Sequence, residues 1–226
     1  MEDNPIVVDG TGSKVVHSKG YSLGYFIGSF FLGVVLLLLI LYWQLGIFEM
    51  AKPVIYLYPT VAGQVKVTLV TPGSITVSDP PYNGAWNVLA TPEGRIDGAY
   101  DYLFYEADVG RGADLSEGWI VEGEKIGEWF DLNLPVFGLN ENEEKDFMEY
   151  WMVHLPKADY YKVVLLSDED LDEMVRLDIE PKPDTIIRVN LYIKPINEKI
   201  VIPHPRIKEK QREGFTVVEW GVILDD

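Results

Sequence analysis

Phe30-Phe31-Leu32-Gly33-Val34-Val35-Leu36-Leu37-Leu38-Leu39-Ile40-Leu41 lies at the centre of a run, Tyr21 to Phe48, in which no side chain is charged. The run is 28 residues long. About 20 apolar residues carry a helix across a bilayer, and a single span must be a helix because only a helix satisfies its own backbone hydrogen bonds in lipid. A secretory signal would have a shorter apolar core and small residues at a cleavage site. Here the apolar centre gives way to Tyr42-Trp43-Gln44, aromatic and polar as at a membrane–water interface. The sequence therefore predicts a flexible tail over 1–20, a transmembrane helix over 21–48, and one domain over 49–226.

Lys14 and Lys19 precede the run and Lys52 follows it. The bias of Lys and Arg toward the cytoplasmic side then predicts a cytoplasmic N-terminus, an extracytoplasmic domain and membrane lipid as a first partner. The domain carries 33 acidic against 17 basic residues, a net of −16. Such a surface repels phosphate backbones, which argues against nucleic acid as a partner. The chain has no cysteine, so neither a disulfide framework nor a thiolate metal site is expected.

Gly20, Gly24 and Gly28 recur at every fourth position, with Ser29 and Gly33 adding a second small pair at the same spacing. On a helix they share one face, where a second membrane helix can approach closely. Beyond the span the patterning is that of strands. Val54–Tyr58 is a short apolar run between Pro53 and Pro59, and Gln64–Val70 alternates with period two. Ser74–Ser78, Trp86–Ala90 and Tyr100–Glu106 follow, separated by turn clusters such as Pro81-Tyr82-Asn83-Gly84. This first half reads as a compact antiparallel sandwich or barrel-like unit.

From Glu122 the period changes. Ile126, Trp129, Phe130 and Leu132–Leu134 predict a short helix interrupted at Pro135. Asn140 and Glu143 have the spacing of a capping box. Phe147, Tyr150, Trp151 and His154 then form one stripe on a helix over Glu141–Leu155, with His154 expected in the core or at its boundary. Strands return at Tyr160–Leu166, Leu177–Ile179, Thr185–Ile193 and Phe215–Leu224, the last after a charged loop at Arg206–Glu213. The fold class is α+β: a mostly antiparallel β domain with an inserted helical segment.

No phosphate-binding loop, dinucleotide fingerprint, nucleophile elbow or zinc-protease helix occurs, and no cofactor is expected. Two carboxylates stand in aromatic strands, Glu106 after Tyr102-Leu103-Phe104-Tyr105 and Glu219 before Trp220. Such settings raise a carboxyl pKa, and two such groups across a cleft would suit a glycosidase. The alternative is that each faces solvent or pairs with Arg95, Arg188 or a backbone donor. Asp108, Asp114 and Glu117, around Gly110-Arg111-Gly112, are candidate calcium ligands that do not match an EF-hand loop. Tyr82, Trp86, Tyr100, Tyr102 and Tyr105 would bind a sugar or a protein if exposed, and form core if buried.

Lys52-Pro53-Val54-Ile55-Tyr56-Leu57-Tyr58-Pro59 resembles a block found in a group of uncharacterised prokaryotic envelope proteins. The resemblance recurs at Tyr102–Glu106, Gly118–Glu124, Gly138–Glu141, Phe147–Trp151, Pro181–Val189 and Gly214–Gly221, spanning nearly all of 52–221. Members are often secreted or lipid-anchored, which implies an extracytoplasmic domain. The group carries no activity to transfer. The expected function is thus a non-enzymatic, membrane-anchored interaction domain, an accessory subunit among other membrane or envelope proteins. The alternative is a surface hydrolase or a glycan-binding protein using Glu106 and Glu219.

Overall fold

The computed structural model describes residues 30, 32–34, 47–110 and 112–225. The tail over 1–20, most of the span over 21–48, and Gly20, Gly24 and Gly28 lie outside the described residues. Phe30 and Leu32–Val34 are helical, and a Cβ on Gly33 would meet nothing within 4 Å. Among the described residues no helix is long and apolar enough to cross a membrane. Ile47 and Phe48, assigned to the end of the span, are instead the first residues of a strand.

That strand, β1 (Ile47–Tyr58), enters a mostly antiparallel α+β domain. The other strands are β2 (Gly63–Val70), β3 (Ser74–Asp79), β4 (Trp86–Ala90), β5 (Leu103–Gly110), β6 (Trp119–Glu122), β7 (Tyr160–Leu165), β8 (Arg176–Glu180), β9 (Thr185–Ile196) and β10 (Thr216–Leu224). Among the described residues of this domain three α-helices interrupt them, α1 (Ile126–Phe137), α2 (Glu141–His154) and α3 (Asp168–Met174), and a 3-10 turn, Gly123–Lys125, leads into α1. A seven-stranded sheet runs β3-β5-β1-β10-β9-β7-β6, and a three-stranded sheet runs β4-β2-β8. β9 and β10 are parallel, and every other strand pairing among the described residues is antiparallel.

The central strands of the large sheet are buried on both faces, and residue alternation assigns their side chains to one of two cores. Ile55, Leu57, Leu103, Tyr105, Val217 and Ile223 pack toward Val65, Val67, Trp86 and Val88 of the small sheet. Val54, Tyr56, Val189, Leu191, Val218 and Trp220 pack toward Phe130 and Leu134 of α1 and Phe147 and Trp151 of α2. Three layers result: small sheet, large sheet, helices. The central strands therefore read as continuous apolar runs.

Several expectations change. The first-half strands do not form a unit of their own: β2 and β4 pair with β8 from the second half, while β1 sits between β5 and the C-terminal β10. Pro135 does not interrupt α1. Its exposed ring rides in the last turn, and the helix stops three residues later at Gly138, whose φ of +113° needs no Cβ. The capping box forms as expected, Asn140 Oδ1 accepting from the Glu143 N–H at 3.0 Å while Glu143 Oε2 accepts from the Asn140 N–H at 2.9 Å. His154 is exposed rather than core; it stacks on Tyr150 with ring centroids 3.9 Å apart.

Candidate functional site

Glu106 and Glu219 do not share a site. Tyr105 O–H donates to Glu219 Oε1 at 2.7 Å, and successive strand residues point to opposite faces, so Glu106 lies on the helix side while Glu219 lies on the small-sheet side. Glu219 is fully buried and accepts from Arg188 Nε at 2.6 Å and Asn190 Nδ2 at 2.9 Å. Arg188 also donates to the Val175 carbonyl at 2.7 Å and reaches Asp172 of α3 at 3.0 Å. Burial works against the Arg188 charge, but Glu219 beside it holds the guanidinium pKa above its ordinary value. Pairing with Arg188 is the alternative named from the sequence; Arg95 pairs with Asp101. The group is a buried ion pair closing a core.

Glu106 is half-buried. Desolvation, and then Glu49, raise its pKa while Lys52 opposes them. Lys52 sits at a bulge in β1 with φ +55°, a left-handed conformation that is costly for a residue preceding proline. Its ammonium lies 4.5 Å from the Phe104 ring centroid, 4.9 Å from Tyr102 and 5.5 Å from Tyr150. Burial lowers the Lys52 pKa, against the pull of Asp146, Glu106 and Asp79. The cage is thus filled by the chain's own cation.

The calcium candidates are dispersed. Asp108 accepts from Ser74 Oγ at 3.1 Å, and Asp114 accepts from the Ser116 N–H at 2.9 Å. Glu117 is exposed, and among the described residues no three His or carboxylate groups are placed to hold a metal. Of the aromatics singled out, Trp86 and Tyr105 are buried core, and Tyr82, Tyr100 and Tyr102 are half-buried.

The feature with the form of a binding site stands at the edge strand β6. Gly118 opens it: a Cβ there would fall 2.4 Å from the Val163 carbonyl, and its N–H donates to the Pro203 carbonyl at 2.8 Å. Gly123 closes it, its missing Cβ leaving room for the Ala158 carbonyl, which would otherwise be 1.9 Å away. These two tight passages return the chain from β6 into α1, so Trp119 and Trp129 meet edge to face at 5.3 Å. Phe137 backs both rings, at 5.6 and 6.0 Å, and His204 from the segment before β10 lies 6.4 Å from Trp119.

A cleft of about 340 Å³ opens over these residues, within the usual size of a small-molecule site. Its polar rim is Glu122, Lys125, Glu128 and Lys199. Lys125 binds Glu122 at 2.8 Å and Lys199 approaches it at 3.9 Å from a different segment. The Lys125 hydrogen bond and charge hold the Glu122 carboxyl below its ordinary pKa. Elsewhere Trp86 donates its indole N–H to the Pro80 carbonyl at 2.8 Å, and among the described residues the buried indole N–H groups without a partner are those of Trp151 and Trp220, in the core and away from this cleft. Sequence reasoning missed this site because Trp119 and Trp129 read separately as a strand and a helix residue. The signal was two tryptophans flanking a short strand–turn–helix passage with charged residues between them. Comparison of the chain with protein-family models, with curated proteins and with solved structures finds no match in any of the three.

Proposed function

We propose that this chain is a membrane-anchored extracytoplasmic interaction domain, an accessory subunit of a membrane or envelope complex, with its N-terminus in the cytoplasm. One observation carries the reading: β1 begins at Ile47, within the last residues of the uncharged run, and is hydrogen-bonded on both edges, to β10 and β5. The central strand thus starts inside the uncharged run itself. An enzyme that must reach a substrate gains from a tether, whereas a subunit held beside a neighbour does not need one. The separation of Glu106 from Glu219 removes the one carboxylate pair that the sequence put forward for hydrolysis.

The test follows the full chain in cells. Protease added to spheroplasts should degrade the part after Lys52 and spare the part before Lys19. In mild detergent, Gly24→Leu should reduce the set of co-purifying membrane proteins, because a leucine on the glycine face forces helices apart at about 1 kcal/mol or more. Protection of the C-terminal domain would overturn the orientation, and an unchanged set of partners would overturn the subunit role.

A further inference from the structure

We propose that the cleft between β6 and α1 binds a neutral saccharide, with Trp119 and Trp129 as its platform. The inference goes beyond the anchoring role and stands on a different surface. Its first ground is the exposed apolar chemistry: two half-buried indoles backed by Phe137, in a cleft of about 340 Å³. Sugar rings present C–H faces that lie against an indole, and hydroxyls at their edges that need donors and acceptors together.

The second ground is charge. The chain carries −17 overall, yet the rim of this cleft holds two acids, Glu122 and Glu128, and two lysines, Lys125 and Lys199, a net of zero. An anionic ligand would meet two carboxylates and a cationic one would meet two ammonium groups. A neutral polyol is served by both, as acceptor from the lysines and donor to the carboxylates. A purely apolar side chain would fill the floor but strip water from four charged groups without replacing their hydrogen bonds.

The third ground is preorganisation. Lys125 at 2.8 Å and Lys199 at 3.9 Å both approach Glu122, and Gly118 and Gly123 fix both ends of β6, so the backbone that carries the rim is set before a ligand arrives.

Calorimetry and saturation-transfer NMR on the full chain, in a detergent without a sugar headgroup, test the assignment. The probes are cellotetraose, chitotetraose and maltotetraose, with a tetragalacturonate as the anionic control. At least one neutral tetrasaccharide should bind at millimolar concentration or below, and the anionic one should not. Trp129→Ala should weaken binding by about tenfold, with partial recovery in Trp129→Phe. Because Trp129 also packs on Phe130, the exposed Lys199→Ala and Glu128→Gln variants are read beside it. Each should weaken binding while leaving the melting temperature unchanged. Absence of binding by all three neutral probes would overturn the proposal. So would binding that the Lys199, Glu128 and Trp129 variants leave intact, binding of the anionic probe alone, or a peptide that occupies the cleft in preference to any saccharide.

Discussion

Glu219 shows how a single residue can be legible by type and not by place. Its setting in an aromatic strand marked it as desolvated, and it is fully buried, but the register that gives it Arg188 as a neighbour in β9 is set by tertiary pairing. Removing one member of such a pair leaves the other charge buried and unpaired, at about 3–5 kcal/mol, whereas replacing both with apolar groups of similar volume is often neutral. Glu219→Leu and Arg188→Met should therefore each destabilise strongly, and the double variant Glu219→Leu/Arg188→Met should be more stable than either single one. Urea melts of the three variants check this; additive losses in the double variant would show that the charges do not depend on each other. The same limit applied to Trp119 and Trp129. Their residue types were plain, but their meeting at 5.3 Å depends on two glycine passages whose need for glycine appears only when Val163 and Ala158 are in place.

At the scale of elements, the legible part was whatever rests on local periodicity or capping. Trp86–Ala90, Glu141 onward to His154, and the Asn140–Glu143 box came out as the pattern implied, since alternation and capping are properties of neighbouring residues. What did not come out was partnership between strands. The first-half strands looked like one sandwich because their spacing carries no record that β2 pairs with β8 and β1 with β10. The short α3 and the four-residue β6 offered too few residues to establish a period. The charged loop at Arg206–Glu213 was read as a return from a distance, and it belongs to the crossover that parallel β9 and β10 require. Arg212 pins that crossover to Glu143 of the α2 cap and to the Gly138 carbonyl at 2.7 Å. β10 is the fourth of seven strands, and Val217, Val218 and Val222 are fully buried, each stabilising by roughly 1.5–3 kcal/mol. Ending the chain at Glu213 would divide the sheet into β3-β5-β1 and β9-β7-β6. That variant should lose its cooperative thermal melt; a sharp transition near that of the full chain would make β10 a detachable arm.

Across the whole domain, one sheet serves two cores, and tyrosines report on both. Tyr105 lies fully buried on the small-sheet side, where burial and then Glu219 push its pKa well above the ordinary value near 10. Tyr56 and Tyr58 lie on the helix side. Burial raises both, followed by Asp146 for Tyr56, whose O–H donates to that carboxylate at 2.9 Å, and by Glu143 for Tyr58. The folded state therefore keeps protons that the unfolded chain releases above pH 10. With more protons bound in the fold than in the unfolded state, stability is unaffected below that point and falls as pH rises beyond it. Tyr56 and Tyr105 each remove roughly 1.4 kcal/mol per pH unit there, and the more exposed Tyr58, less strongly shifted, does so over a shorter span of pH. A stability of about 5–15 kcal/mol cannot absorb that for many units. Because β1 and β10 contribute side chains to both cores, neither core survives loss of the other. Tyrosinate absorbance from this buried set should hence lag behind the rest of the 13 tyrosines and appear in one step, together with loss of far-ultraviolet dichroism. Ionisation of the buried set with the dichroism intact, or in two separated steps, would mean that the layers open independently.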